Sequence, residues 1–280
     1  MNNKNLTKVQ IGFSPCPNDT FIFDALINKK IDTAEFTFEA VMEDVETLNK
    51  WALQKKLPVT KLSYGVLPLV LSQYVVLNNG SALGKGVGPL LINSKHLDKS
   101  QIENSIIALP GEHTTAHLLF SIAYPNAAQK VFIPYNEIEK YISDGHGPGV
   151  IIHENRFTYQ DKGLVKIIDL GDYWEEKTGN PIPLGGIVVD RVLPLRTQQS
   201  IDSLIRKSIE YGFSNYPELP YYVKIHAQEM SEDVMRKHIE LYVNNYSTDL
   251  GSEGKNAIIN LIWIFNNIYQ RQETSLPVFV

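Results

Sequence analysis

A chain of 280 residues, 43% hydrophobic and 20% charged, has the length for one large or two medium domains around a sizeable core. Its net charge of −5 gives no electrostatic reason to bind nucleic acid or an anionic membrane surface. The single cysteine, Cys16, excludes an intrachain disulfide and suits a reducing compartment. Residues 1–8 are polar and lack the apolar core of a secretion signal, so a cytoplasmic location is expected. No run reads as membrane-spanning, because Val66–Leu77 is interrupted by Pro68, Ser72 and Gln73.

The first predicted strand, Val9–Phe13, runs into Ser14-Pro15-Cys16-Pro17-Asn18-Asp19-Thr20 and a helix over Phe21–Asn28. Asn18 or Asp19 is the expected N-cap, and a helix N-terminus beyond a strand end favours an anion; an ordinary capped turn is the bland alternative. Glu35–Ala40 alternates as a strand. The acidic run Glu43-Asp44-Val45-Glu46 opens a helix over Glu43–Lys56, where carboxylates suit the dipole. A strand Val59–Ser63, a short helix Val66–Leu71 and a strand Val75–Leu77 follow. The loop Gly84-Lys85-Gly86-Val87-Gly88-Pro89 lacks the Gly-Lys-Ser/Thr of a Walker loop and reads as a hinge. Beyond it the pattern restarts with strands Leu90–Ile92 and Ser105–Leu109, helix Thr115–Ile122, strand Lys130–Ile133, helix Tyr135–Ile142 and strand Gly149–His153. After Leu184-Gly185-Gly186 and a strand Ile187–Val189 the chain turns helical. Ile201, Leu204, Ile205, Ser208, Ile209 and Phe213 form one stripe at helical spacing, and Ile258, Ile259, Ile262 and Phe265 another. The alternation argues α/β with largely parallel strands. The two Gly-rich crossings divide it into a lobe of residues 1–92 and 187–280 and an inserted lobe of 93–186, with a ligand cleft between them.

Four strand ends converge on that cleft. Ser14–Thr20 is the first. The second is Lys61-Leu62-Ser63: a lysine in a buried strand needs an anion or water for its ammonium, unless the strand is an edge reaching solvent. The third, Pro110-Gly111-Glu112-His113-Thr114-Thr115-Ala116, offers hydroxyls and backbone N–H groups at a helix start, or plain capping. The fourth is Gly149-Val150-Ile151-Ile152-His153-Glu154, which sets an imidazole of unperturbed pKa about 6.5 at the lip of an apolar strand. It is either a proton acceptor or a structural histidine. His113 and His117, at i and i+4, lack the third ligand and the glutamate of a zinc motif. Cys16 lacks an identifiable base and reads as a small packed residue. Nothing suggests a nicotinamide, flavin or pyridoxal site.

Ser14-Pro15-Cys16-Pro17-Asn18-Asp19-Thr20-Phe21, Lys61-Leu62-Ser63, His113-Thr114-Thr115-Ala116 and Ile152-His153-Glu154-Asn155-Arg156-Phe157-Thr158-Tyr159 together resemble the 1,4-dihydroxy-6-naphthoate synthase family of the futalosine route to menaquinone. The resemblance runs in order over most of the chain. It implies a two-lobed periplasmic-binding-protein-like (type II) fold used for catalysis in the cytoplasm. The implied substrate is a small carboxylate, cyclic de-hypoxanthine futalosine, cleaved to the naphthoate and dihydroxyacetone with no metal or cofactor. No nucleic acid, membrane or obligate protein partner is implied. It also implies that His153 is the proton acceptor and that Lys61, Leu62, Ser63, Thr114 and Thr115 bind substrate, joined by Asn18 and Asp19. Val87 stands where an aromatic residue is expected, a departure that bears on lobe closure. Chorismate dehydratase of the same pathway and fold is disfavoured by the His153 run. A transporter's solute-binding protein is disfavoured by the N-terminus, and a transcriptional sensor by the short stretch before Val9.

Overall fold

The computed structural model describes residues 6–227, 231–272 and 274–280. Among the described residues, eleven strands form two sheets. In chain order they are β1 Thr7–Phe13, β2 Phe36–Met42, β3 Val59–Ser63, β4 Tyr74–Val76, β5 Ala82–Gly84, β6 Leu90–Asn93, β7 Ile107–Leu109, β8 Lys130–Phe132, β9 Gly149–Ile151, β10 Val165–Asp169 and β11 Ile182–Asp190. The first sheet has the order β2-β1-β3-β11-β4, with β5 also on β11; the second has β10-β6-β9-β7-β8. The chain passes between sheets after Gly84 and returns after Asp169, so β6 lies in the second sheet and all of β11 in the first, a few residues ahead of the expected 92 and 187.

The sheets are mixed rather than largely parallel. β1, β2 and β3 run parallel, as do β7, β8 and β9. The strands that bring the chain across, β6 and β11, run against their neighbours. Periodicity reads strand from helix but carries no information on direction. A returning segment that enters a sheet from the far lobe is not bound to the direction set by βαβ crossovers.

Helices Pro17–Ile27 and Leu195–Asn215 cover one face of the first sheet and enclose Ile11, Phe13, Phe21, Ile22, Ile187, Ile201, Ile205 and Ile209. A second cluster spans both sheets, with Leu62, Tyr64 and Val188 meeting Leu91, Leu109, Phe120 and Trp174. The two lobes therefore share a core. The expected stripes hold with two exceptions at their edges: Phe213 and Ile259 are exposed. Among the described residues, no helix is long and apolar enough to cross a membrane.

Candidate active site

The first helix begins at Pro17, four residues before the expected start. Proline suits that position because its missing N–H is not needed there. Cys16 rather than Asn18 or Asp19 is therefore the N-cap residue, and no side chain caps it. Asn18 and Asp19 fall in the first turn, and both are buried. The Asp19 carboxylate accepts from the Ser14 backbone N–H at 3.2 Å and the Ser14 hydroxyl at 2.8 Å through Oδ2. Its Oδ1 accepts from Asn18 Nδ2 at 2.9 Å and pairs with Lys61 Nζ at 2.9 Å. Lys61 also donates to the Gly80 carbonyl at 3.1 Å. The anion that a buried strand lysine demands is thus supplied by the opening loop itself. That carboxylate also offsets the positive end of this helix, so the loop is not the anion seat that its position suggests.

The anion-friendly end lies opposite. Thr114 caps helix Thr115–Ala123, accepting from His117 N at 3.2 Å and donating to the Gly111 carbonyl at 2.9 Å. The Thr115 hydroxyl accepts from Gly65 N at 2.9 Å and donates to the Leu184 carbonyl at 2.6 Å, a bridge between the lobes. The backbone N–H groups of Thr115 and Ala116 have no hydrogen-bond partner among the described residues. Ser63 is fixed by Asn49, whose Oδ1 accepts from its N–H at 2.8 Å and whose Nδ2 donates to its Oγ at 3.1 Å. The Ser63 hydroxyl proton stays available to a ligand. Asn18 Oδ1 is buried and unpartnered, an acceptor ready for a donor.

These groups line one cavity of about 100 Å³, together with Leu62, His153, Val87, Ile152, Leu184 and Tyr242. Ser14, Asn18, Asp19, Lys61, Leu62, Ser63, Thr114, Thr115 and His153, scattered over the sequence, all reach it. Val87 is buried in its wall, so the departure from an aromatic residue bears on the shape of the cavity as well as on closure. The hinge loop that carries Val87 is clamped by Arg156, which donates to the carbonyls of Gly86, at 2.8 Å, and Gly88 and pairs with Asp169 at 2.7 Å.

His153 stands just beyond β9 with φ of 56°, a left-handed backbone that costs a non-glycine residue about 1–3 kcal/mol. Strand Gly149–Ile151 ends two residues before it, short of the expected limit, and this turn aims the ring into the cleft. Burial holds its pKa below the usual value, against the pull of the Glu154 and Asp19 carboxylates, so the ring is neutral at neutral pH. Its Nδ1 lies 3.6 Å from Cys16 Sγ, which corrects the reading of Cys16 as packing alone. Two further rings meet it: Tyr135 at 5.0 Å and His238, stacked at 5.9 Å with planes 9° apart. Sequence patterning alone does not mark His238, Tyr135 or Tyr242. His238 and Tyr242 lie in one helix, Glu232–Tyr242, on a buried face that reads as ordinary amphipathic packing.

Glu46 fastens the lobes together. It sits in helix Val45–Leu53, capped by Asp44 as the acidic run suggests, and accepts from the N–H groups of Glu112 at 3.2 Å and His113 at 3.1 Å. Gly111, at φ of 157°, leaves space for it, since a Cβ there would lie 2.6 Å from its carboxylate. His117 bonds the Glu112 carbonyl at 2.7 Å and lies 3.3 Å from Lys130 Nζ.

Two mixed α/β lobes closed on a buried ligand cleft define the periplasmic-binding-protein-like class. The periplasmic aliphatic sulphonate binding protein of Escherichia coli shares the fold at a TM-score of 0.66 and 8% identity, over 98% of this chain and 93% of that one. A crystal structure from Archaeoglobus fulgidus is nearer, with a TM-score of 0.88 and 27% identity over 96% and 99% of the two chains. Within that class, residues 9–265 match the family described as Menaquinone biosynthesis. The chain is 44% identical to the 1,4-dihydroxy-6-naphthoate synthase of Thermus thermophilus over 90% of its length and 92% of the relative's, and 39% identical to that of Streptomyces coelicolor over 91% of each. It belongs to the 1,4-dihydroxy-6-naphthoate synthase family of menaquinone biosynthesis, and it is an enzyme of the lyase class.

Proposed function

We propose that the chain cleaves cyclic de-hypoxanthine futalosine to 1,4-dihydroxy-6-naphthoate and dihydroxyacetone in the cytoplasm, with His153 as general base. The observation that carries this reading is a neutral imidazole on a strained backbone, facing a cavity whose unsatisfied groups match a hydroxylated carboxylate. The free N–H groups of Thr115 and Ala116 at a helix N-terminus suit the carboxylate. The Ser63 hydroxyl as donor and Asn18 Oδ1 as acceptor suit the polyol hydroxyls. His153 takes a hydroxyl proton, the carbon–carbon bond breaks in a retro-aldol sense, and aromatisation of the second ring draws the sequence forward. Lys61 and Asp19 serve as a fixed, mutually neutralised wall.

General base catalysis contributes about 10²–10⁴-fold, and orientation with water exclusion supplies the rest. His153→Ala is expected to fold normally and lose turnover by about that 10²–10⁴-fold factor, read by mass detection of the naphthoate. Near-wild-type product formation by this variant would remove His153 from the role. Tight binding of the substrate with no product from the unaltered chain would point instead to a binding protein.

A further inference from the structure

His153 follows a strand of the second sheet, yet two of the groups that hold its ring come from elements packed on the first. Cys16 precedes helix Pro17–Ile27, and His238 lies in helix Glu232–Tyr242, whose Met235 and Ile239 join the core of the first sheet. The hydrogen-bond direction at Cys16 follows from its neighbours. The Asp19 carboxylate, paired with Lys61, only accepts, so the Ser14 hydroxyl donates its single proton to Oδ2 at 2.8 Å. The Ser14 oxygen then keeps lone pairs that can take the S–H of the neighbouring Cys16. Burial and the nearby Glu154 and Asp19 carboxylates keep that thiol protonated. An S–H turned to Ser14 leaves Sγ as the acceptor for His153, in which case the 3.6 Å contact is Nδ1–H···Sγ.

We propose that Cys16 and His238 are positioning residues that lock His153 as the Nδ1–H tautomer in a fixed ring plane, so that Nε2 is the proton-accepting atom and is set only when the lobes meet. This rests on the reading of His153 as the base. His238 is fully buried, and neither ring nitrogen has a hydrogen-bond partner among the described residues, so its contact with His153 is face to face. Burial and the facing His153 hold it neutral. A neutral ring offers its face to the imidazolium that forms when His153 takes a proton. The charged groups around His153, namely Glu154, Asp19, Lys61 and Asp44, are unchanged in every variant below.

Nitrogen-15 NMR of the whole histidine-labelled protein reads the tautomer without reference to turnover. His153, assigned through the signal lost in His153→Gln, is expected to show a protonated Nδ1 and a bare Nε2. Cys16→Ala is expected to shift population to the Nε2–H form and lower kcat by about 10- to 100-fold, typical for loss of a group that orients a functional histidine, with KM changed by less than about threefold. Cys16→Ser, which keeps an acceptor, is expected to restore most of both. His238→Phe, which keeps a ring face, is expected to stay within a few-fold, whereas His238→Ala follows Cys16→Ala. An Nε2–H tautomer in the unaltered protein, or an unchanged kcat in a folded Cys16→Ala, overturns the proposal. If His153→Ala turns over substrate at the unaltered rate while the tautomer is as described, the base reading fails and the positioning role falls with it.

Discussion

Lys61 and Asp19 decide how the opening loop behaves. Their side chains are 6% and 3% exposed, so each charge relies on the other for compensation. Removing one partner of such a pair costs about 3–5 kcal/mol, because an uncompensated charge stays behind. Asp19→Asn is therefore expected to lose about that much in urea unfolding, and Asp19→Asn with Lys61→Met to regain a good part of it. A single variant within about 0.5 kcal/mol of the parent would mean that water compensates the lysine, a surface-like behaviour. The need for an anion at Lys61 is legible in the sequence, since lysine is costly in a buried strand. Which anion meets it is not, because Asp19 is 42 positions away and enters only when β1 pairs with β3.

Among the elements, the start of helix Thr115–Ala123 does most to bring the lobes together. It receives Glu46 from one side and the turn after β3 from the other. Gly65 approaches it so closely that an added Cβ would lie 2.7 Å from the Thr114 carbonyl, with backbone on both sides of the clash. Gly65→Ala is therefore expected to hold the lobes apart. At the usual overpacking cost of about 1–3 kcal/mol, most of it borne by closure, KM should rise about 10-fold or more while the urea midpoint moves little. Small-angle scattering should show a larger radius of gyration. Unchanged KM and scattering would show that the turn gives way locally. Sequence places this glycine in a plain turn after a strand, and only the opposing backbone reveals why a side chain is excluded.

On the scale of the whole molecule, lobe closure buries titratable rings and makes stability depend on pH. His153 and His238 both have folded pKa values lowered by burial, His238 the more strongly, and His117 is lowered too. Their unfolded forms take up protons near pH 6.5 while the folded forms resist, so stability is full above that pH and falls as pH drops toward the folded values. The slope approaches about 1.4 kcal/mol per pH unit for each ring held neutral. Glu46, raised by burial, acts in the opposite sense, from the pH where an exposed glutamate titrates up to its own raised value, and it is one group against three rings. Urea midpoints should therefore fall between about pH 7 and 5.5, and His238→Phe should flatten the fall. A level profile in the parent protein would mean that these rings gain protons without unfolding.

By itself the sequence determined what local periodicity and residue chemistry can carry. Strand β3 was legible to the residue, the alternation of strands and helices gave the α/β class, and all four strand ends that reach the cavity could be marked because polar residues break apolar runs there. The direction of β6 and β11, the partners of Lys61, the contact of Cys16 with His153 and the place of His238 were decided only by the tertiary structure. Each depends on residues far apart in the chain meeting across two lobes. A side chain's own identity fixes what partner it needs, but the fold alone fixes which partner arrives.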